Sequence, residues 1–420
     1  VQIRPPQPVM FEKQFFIPPK KNTLSFYLLI FFPIFLILGN FFINFFFIAF
    51  TFLAILNLKE SQNFYKSFIF YLLIFFLLYL SINLFFSIDL SNSFPRLIKF
   101  ILIIFFIKEL QNLIQNKDFS FEKILCYWTL VFLIVCFDII FEFIFGFNLL
   151  GFYTLMPGRI ASFFGDELVI GGFYHFMSLL ILAFFINQKF SDPIILIFSI
   201  SIILISFVIG ERANFIKLFL SIFLFLFFIY KTSFLNKIGI SLIIFILLSV
   251  TILTSSNIKY RYYDQIKVIY SSNGFSKYFK DSQYGAHQDA AYKIFKNNRL
   301  FGVGLKNFRK ESKKEIYKND EFKKTDTRQS THPHQLHLEL LSETGLLGYL
   351  AFFILTLYSI YYSIKNYLIH KNNYQFAAIL FIISSIIPLI PSGSLFSTFN
   401  GGIFWFNFAL MLSFNKYSKS

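Results

Sequence analysis

Long apolar runs separated by short polar turns recur along most of the 420-residue chain. A helix needs about 20 apolar residues to cross the ~30 Å hydrocarbon core of a bilayer. Because 56% of the residues are hydrophobic, a soluble domain could not bury this much apolar surface. We therefore predict an all-α polytopic integral membrane protein with about twelve transmembrane helices, at residues 24–38, 40–57, 67–87, 96–115, 122–146, 168–187, 193–209, 213–230, 235–254, 345–364, 373–390 and 397–414.

The lysines of the short loops indicate how this chain is oriented. Cytoplasmic loops carry an excess of Lys and Arg. If the N-terminus is cytoplasmic, the outer short loops have almost no lysine, and their basic residues are Arg96, Arg159 and Arg212. Residues 1–23 then form a basic cytoplasmic leader, and both ends are cytoplasmic. The inner loops and the C-terminal tail carry Lys59, Lys66, Lys117, Lys123, Lys189, Lys231, Lys237, Lys365, Lys371, Lys416 and Lys419.

One long polar segment interrupts the apolar pattern. Residues 255–335 hold 17 Lys and Arg against 8 Asp and Glu, a net +9 out of the +16 of the chain. Long loops cross the membrane regardless of charge, so this segment is compatible with an external position. The predicted domains are the leader, a nine-span membrane domain at 24–254, a large external loop at 255–344, and a three-span domain with a cytoplasmic tail at 345–420.

Composition also limits the function classes. Cys126 and Cys136 both lie in one apolar run, which disfavours a disulfide framework and a thiol metal site. An external basic loop suits anionic lipid headgroups and phosphorylated lipid carriers. Nucleic acid is not expected on that face, since the loop lacks a recognition motif.

A cluster of titratable residues closes the external loop, directly before an apolar run. Within residues 330–348 lie three of the six histidines of the chain and two glutamates, namely His332, His334, His337, Glu339 and Glu343. Titratable groups where a wet loop meets a membrane helix are a default site for chemistry on a membrane-borne substrate.

Pro333 suits the first turn of a helix, so we predict a short helix over 333–343. A histidine at a helix N-terminus has a lowered pKa and stays neutral near pH 7, as a general base must. Three interpretations are open for the histidines: a catalytic base, capping and hydration of a helix start, or a zinc site. The spacing matches no common zinc motif.

Upstream in the loop, Asp289-Ala-Ala-Tyr-Lys-Ile-Phe-Lys296 has helical spacing and ends at Asn297-Asn298. Gly302 and Gly304 follow in a Gly-x-Gly sequence. No strand precedes it and no third glycine completes a dinucleotide pattern, so a tight turn is predicted.

These segments resemble the O-antigen ligase and O-antigen polymerase superfamily. Residues 332–348, His-Pro-His-Gln-Leu-His-Leu-Glu-Leu-Leu-Ser-Glu-Thr-Gly-Leu-Leu-Gly, are similar to its "His-Pro-His-Asn … Leu-x-Glu-x-Gly-x-x-Gly" signature. Residues 297–309 resemble its "Asn-Pro-Leu-x-Gly-x-Gly-x-x-Asn-Phe" segment. Gly210-Glu-Arg-Ala213 is similar to its "Ser-Arg-Gly-Ala" motif. The likeness is strong over 285–350, fair around Arg212, and rests on topology elsewhere.

The resemblance implies a metal-independent glycosyltransferase of the bacterial inner membrane, without a cofactor, that works at the periplasmic face. The implied donor is a glycan on undecaprenyl diphosphate. A ligase moves it onto lipid A-core, and a polymerase moves it onto another lipid-linked repeat. The motif histidine, the general base, corresponds to His334, with His332 as its neighbour, and the arginine that holds the diphosphate corresponds to Arg212.

The chain departs from the family pattern at three places. Gln335 replaces the usual Asn, keeping an amide with a longer reach. Glu211 and Ala213 replace the Ser and Gly that flank the arginine. Where many members carry another arginine near the helical segment of the loop, the nearby titratable residue is His287. The second diphosphate contact is therefore open, with Arg309 or Lys306 as candidates.

Three further polar residues are candidates for substrate binding. Asp138 and Glu142 lie four apart on one face of the fifth predicted span. Charged groups there are costly, so a partner such as Arg212 or Arg159 is expected. They could orient an arginine or an acceptor sugar, and a structural ion pair is an equal alternative. Arg159 suits either a diphosphate contact or a contact with lipid headgroups.

Two function classes compete. A transferase breaks the bond between a sugar carbon and a diphosphate, which requires cations for the leaving group and a base for the acceptor proton. A transporter or flippase for an anionic lipid would favour internal repeats and paired midplane charges. No repeat is found, and the polar residues gather at one face, so the transferase is favoured. Ligase and polymerase are not separated.

Overall fold

The computed structural model describes residues 23–58, 62–229, 245–264, 266–267 and 274–415. All regular secondary structure in these ranges is helical, as predicted. The principal helices are Thr23–Leu38, Asn40–Leu56, Phe68–Asn83, Leu90–Gln115, Phe121–Phe145, Ile170–Asn187, Asp192–Val208, Arg212–Ile229, Phe245–Thr254, Gln283–Asn297, Leu336–His370, Asn373–Ser385 and Thr398–Ser413.

Among the described residues, five helical segments are long and apolar enough to cross a membrane by length and composition. They are Phe68–Phe86, Phe121–Phe145, Ile170–Asn187, Arg212–Ile229 and Leu336–His370. Shorter apolar helices occupy other predicted spans, so the count of twelve stays a prediction. The leader at 1–23, except its last residue, and part of the span at 235–254 lie outside the described residues.

One compact unit comprises Val1–Phe46, Leu113–Tyr262 and Tyr367–Ser384. In this unit, aromatic side chains fill the space between helices. The ring of Trp128 lies 6.2 Å from Phe32 and 5.5 Å from Phe176 between centroids, and its indole N–H donates to the carbonyl of Leu29 at 2.8 Å. The central helix Ile170–Asn187 is buried along nearly its whole length, because helices Phe121–Phe145, Asp192–Val208 and Arg212–Ile229 pack around it.

The second unit comprises Phe47–Asn112, Tyr263–Asn366 and Ser385–Ser420, and it contains most of the polar loop. The loop has a small core of its own, in which the helix Gln283–Asn297 buries one face. This confirms the helical segment predicted around 289–296, which ends at Asn297 as expected. The core consists of Ala290, Ala291, Ile294, Val303, Phe308 and Tyr317.

The predicted Gly-x-Gly turn is confirmed, and it packs against a bend in the helix Leu336–His370. Gly302 and Gly304 have φ of +68° and +90°, and Gly345 in the helix has φ +65°. Backbone hydrogen bonds join the two segments, from Val303 N to the carbonyl of Ser342 at 3.0 Å and from Gly304 N to that of Glu343 at 2.9 Å. A Cβ on Gly302 would lie 2.5 Å from the Glu343 carbonyl carbon, so only glycine fits this contact.

Candidate active site

Three histidines from the second unit meet beside the loop core. The His287 ring is carried by the helix Gln283–Asn297 and stacks on His334, with centroids 5.2 Å apart and an interplanar angle of 27°. The ring of His332 lies 4.0 Å from that of His334. Tyr284 meets His334 edge-on at 5.3 Å. The structure thus brings together His287, His332 and His334, which are separated by up to 47 positions in sequence.

Burial keeps these imidazoles neutral. The pKa of His334 is lowered to about 4, first by burial and then by the nearby His287 and Lys306. Burial, together with His334 and Lys306, lowers the pKa of His332 to about 2. Burial also lowers the pKa of His287. Removal of a charged group from water disfavours its charged form, so a neutral His334 is available as a base near pH 7.

The predicted position of His334 on a helix is wrong. The helix begins at Leu336 rather than 333, and His334 precedes it with φ +55°. A histidine in this left-handed region is uncommon, and here the Ser392 N–H donates to the His334 carbonyl at 3.0 Å. The lowered pKa of His334 therefore arises from burial and neighbouring groups.

Gln335 caps the helix that follows. Its side-chain oxygen accepts the N–H of Leu338 at 2.6 Å, the bond from the third helical residue to the N-cap side chain. Asn, the usual residue in the family pattern, is also a preferred cap, so the amide at this position has a structural role.

His337 has both ring nitrogens engaged. Its Nε2 lies 3.0 Å from the carbonyl oxygen of Ile386, which can only accept, so Nε2 carries the proton. Its Nδ1 then accepts from the hydroxyl of Tyr349 at 3.0 Å. His337 therefore anchors the helix, and it is not available as a base.

Lys306 is the buried cation of this cluster. It is only 6% exposed and adopts φ +58° at the end of the glycine turn. Its ammonium donates to the hydroxyl of Ser394 at 2.8 Å and lies 3.4 Å from the carbonyl of Thr331. Arg309, the alternative diphosphate contact, is exposed. Between the two candidates, burial beside the histidines favours Lys306.

Two buried glutamates hold the segments that frame the cluster. Glu343, fully buried, accepts the backbone N–H groups of Lys306 at 2.7 Å and Phe308 at 3.3 Å. Glu339, 1% exposed, accepts the N–H of Leu395 at 2.9 Å and the hydroxyl of Ser394. Buried carboxylates that accept several hydrogen bonds fix the backbone around them. These glutamates position the site.

Sequence reasoning did not assign a site role to two further cations near this cluster. Arg96 is within electrostatic range of Glu343 and Arg309, and its Nε is buried with no hydrogen-bond partner among the described residues. Lys99 is within range of Arg96 and Lys306, and it donates to the hydroxyl of Thr398. Both residues lie on the helix Leu90–Gln115. Their sequence signal is weak, because it consists of two cations beside an apolar run.

In the first unit, arginines gather around the motif at Arg212. Arg159 forms an ion pair with Glu211 at 2.8 Å and donates to the carbonyl of Leu168 at 2.9 Å. Arg261, which the sequence analysis missed, donates from Nε to the carbonyl of Gly210 at 2.9 Å. All three arginines are within electrostatic range of the Tyr262 hydroxyl. Arg212, the first residue of its helix, makes no hydrogen bond or ion pair with another described side chain.

Within the described ranges, neither Asp138 nor Glu142 pairs with the expected arginine. Asp138 accepts the N–H of Leu149 at 2.7 Å and the hydroxyl of Ser162. Glu142 accepts the N–H of Ser162 at 2.6 Å and the hydroxyl of Thr154 at 2.7 Å. Arg159 pairs with Glu211 instead. The two buried carboxylates therefore tie down the loop after their helix, because its polar backbone supplies their donors.

No three His, Cys, Asp or Glu side chains in the described part of the chain are grouped so that they could hold a metal ion. His337 is engaged with Tyr349 and Ile386. The geometry therefore gives no support to a zinc site built from the three motif histidines.

A comparison with protein families supports the resemblance. Residues 194–353 match the family described as O-antigen ligase. The matched segment contains Arg212, the glycine turn, Lys306 and the histidine cluster. The match supports membership of the O-antigen ligase superfamily, and with the apolar helices it indicates a multi-pass membrane protein of the glycan-transferring type. No curated protein matches the chain.

Proposed function

We propose that this protein transfers a glycan from undecaprenyl diphosphate to a sugar hydroxyl at the periplasmic face of the inner membrane, as an O-antigen ligase that acts on lipid A-core. The observation that carries the proposal is the half-buried His334 within electrostatic range of the buried cation Lys306, in a segment that matches O-antigen ligase. The reaction requires a neutral base and a cation, and this cluster supplies both.

In the proposed reaction, the acceptor oxygen attacks the sugar carbon that bears the diphosphate. His334 takes the acceptor proton as the new C–O bond forms. The old C–O bond breaks, and undecaprenyl diphosphate leaves with the bonding electron pair. Lys306 stabilises the negative charge on this leaving group, and no metal ion is required. His332 packs on His334 and holds the orientation of its ring.

Arg212 is proposed as a further contact of the lipid diphosphate. Arg212 is the first residue of the helix Arg212–Ile229, and its guanidinium makes no hydrogen bond or ion pair with another described side chain. Arginine keeps its charge in apolar surroundings and presents a planar fork that matches phosphate oxygens. Arg159 has a weaker claim, because Glu211 already neutralises it.

The variant His334→Ala tests the proposal. Loss of a general base lowers the rate by about 10²- to 10⁴-fold. Purified protein should be assayed with a glycan on undecaprenyl diphosphate and lipid A-core, in the presence of a chelator. The matched control is His370→Ala, since His370 is exposed at the far end of the helix that follows His334. Transfer by His334→Ala at the wild-type rate would overturn the catalytic assignment.

Polymerase is the second candidate function, because the matched family supports glycan transfer of either type. Deletion of the gene, followed by separation of surface polysaccharide by size, separates the two. Loss of all attached glycan indicates a ligase, and single attached repeats indicate a polymerase. Movement of the donor across the membrane without transfer would instead indicate a transporter.

A further inference from the structure

The side chain of His287 is held by one ring nitrogen, and the other nitrogen has no partner in the described part of the chain. Its Nε2 lies 2.7 Å from the carbonyl oxygen of Thr327. A carbonyl oxygen only accepts, so Nε2 donates and the neutral ring keeps a lone pair on Nδ1. That Nδ1 is buried and has no hydrogen-bond partner among the described residues, although the residue is only 6% exposed.

An unsatisfied buried acceptor is costly, so it calls for an explanation such as a bound group that supplies the missing donor. The position of His287 indicates which ligand. Its ring stacks on His334 at 5.2 Å between centroids, and Tyr284 packs edge-on against both rings. A group bound at His334 therefore lies within reach of the His287 ring.

The chemistry of Nδ1 excludes the diphosphate as its ligand. Phosphate oxygens only accept hydrogen bonds, and so does this nitrogen. The single ring donor, Nε2, is already used by Thr327. A sugar hydroxyl, by contrast, can donate to Nδ1.

We propose that Nδ1 of His287 accepts a hydrogen bond from a second hydroxyl of the acceptor sugar, on the carbon next to the one whose hydroxyl His334 deprotonates. This inference rests on the proposed function of His334. His287 exchanges no proton with the substrate. It fixes the acceptor sugar by a neighbouring pair of hydroxyls and so selects acceptors that carry such a pair.

Two substitutions distinguish the roles of the two ring nitrogens of His287. His287→Gln places an amide N–H near the position of Nε2, which keeps the donor to Thr327 and removes the acceptor. His287→Asn places its amide oxygen near the position of Nδ1, which keeps the acceptor and removes the donor. Each variant is assayed with the intact acceptor and with a deoxy acceptor that lacks the neighbouring hydroxyl. Thermal unfolding in detergent checks that both variants fold.

Wild-type protein should use the deoxy acceptor about fivefold to tenfold less efficiently in kcat/KM, as expected for one lost hydrogen bond. His287→Gln should show that same loss with the intact acceptor and no further loss with the deoxy acceptor. The KM for the donor should not change, and a folded His287→Asn should retain the preference. Equal discrimination by wild type and His287→Gln, or no preference in folded His287→Asn, would overturn the inference.

These outcomes are distinguishable from failure of the proposed function. If wild-type protein does not transfer the glycan, or if transfer does not depend on His334, the proposed function fails. If transfer depends on His334 and His287→Gln still prefers the intact acceptor, only the role of His287 fails.

Discussion

At the scale of single residues, the surroundings of His334 set the pKa of this proposed base. The pKa of His334, near 6.5 in water, is lowered to about 4 by burial, by His287 and by Lys306. The imidazole is therefore almost wholly in its reactive neutral form at pH 7 and stays so in moderate acid. A lower pKa also makes an imidazole a weaker base. In the proposed reaction, the cation Lys306 would therefore assist the leaving group while it weakens the proposed base His334.

The lowered pKa of His334 predicts how kcat/KM depends on pH. The reactive form of His334 lies above its pKa, so kcat/KM should remain high down to about pH 5 and fall toward pH 4. Lys306→Met removes a cation that disfavours the imidazolium, so the acid limb should move to higher pH. Profiles of kcat/KM against pH measure this shift. Lys313→Met, at an exposed lysine, is the control. An acid limb near pH 6.5 in wild type would contradict the assignment.

The sequence was sufficient to predict His334, His332 and Lys306 as site candidates, because each lies in a motif. It could not predict Ser394, which contacts both Lys306 and Glu339, since a lone serine 55 positions from Glu339 carries no periodic or spacing signal. Arg261 was missed for the same reason. Contacts across long sequence separations arise from packing, and local patterns do not encode them.

At the scale of elements, the glycine turn and the bend at Gly345 depend on each other. A Cβ at Gly345 would lie 2.3 Å from the carbonyl oxygen of Leu300. The N–H of Leu346 donates to the backbone carbonyl of Arg299 at 2.8 Å. The turn that carries Lys306 therefore rests against the bend, and a change in one displaces the other.

Gly345→Ala should thus destabilise the protein much more than alanine at Gly146, a glycine of positive φ with open space around it. Gly146 has φ +82° with nothing within 4 Å of its Cβ position, so Gly146→Ala carries only the backbone cost of about 1–2 kcal/mol. Gly345→Ala adds a steric clash with the backbone. Thermal unfolding in detergent compares the two variants. Equal destabilisation by Gly345→Ala and Gly146→Ala would contradict this prediction, because it would show that the backbone at Leu300 moves away from the new Cβ at little cost.

Helical element types were predictable from the sequence, whereas several boundaries were not. The length of the apolar runs located the helices, and Asn297 ended the loop helix as predicted, but the helix predicted from 333 begins later. The start at 333 assumed that Pro333 occupies the first turn. Instead, the Ser392 N–H binds the carbonyl of His334 and holds that residue in the left-handed region, so the helix starts at Leu336.

At the scale of the whole molecule, the orientation of the chain in the membrane is a prediction that cysteine labelling can test. Cys126 and Cys136 are buried, so they give little background. In spheroplasts, a membrane-impermeant maleimide should modify Lys313→Cys in the external loop. It should modify Lys365→Cys only after the membrane is permeabilised. Both lysines are exposed in the structure. Labelling of Lys365→Cys in sealed spheroplasts would contradict cytoplasmic placement of that loop.

The hydrogen bonds around Glu339 determine where a recombinant fragment of this protein can end. The family match ends at residue 353, but the donors to Glu339 and to the His334 carbonyl come from residues 392–395. A recombinant fragment that stops at residue 353 would leave the buried Glu339 carboxylate without its donors Ser394 and Leu395. The end of the family match is therefore a poor end for a recombinant fragment, and any truncated form should retain the C-terminal helices.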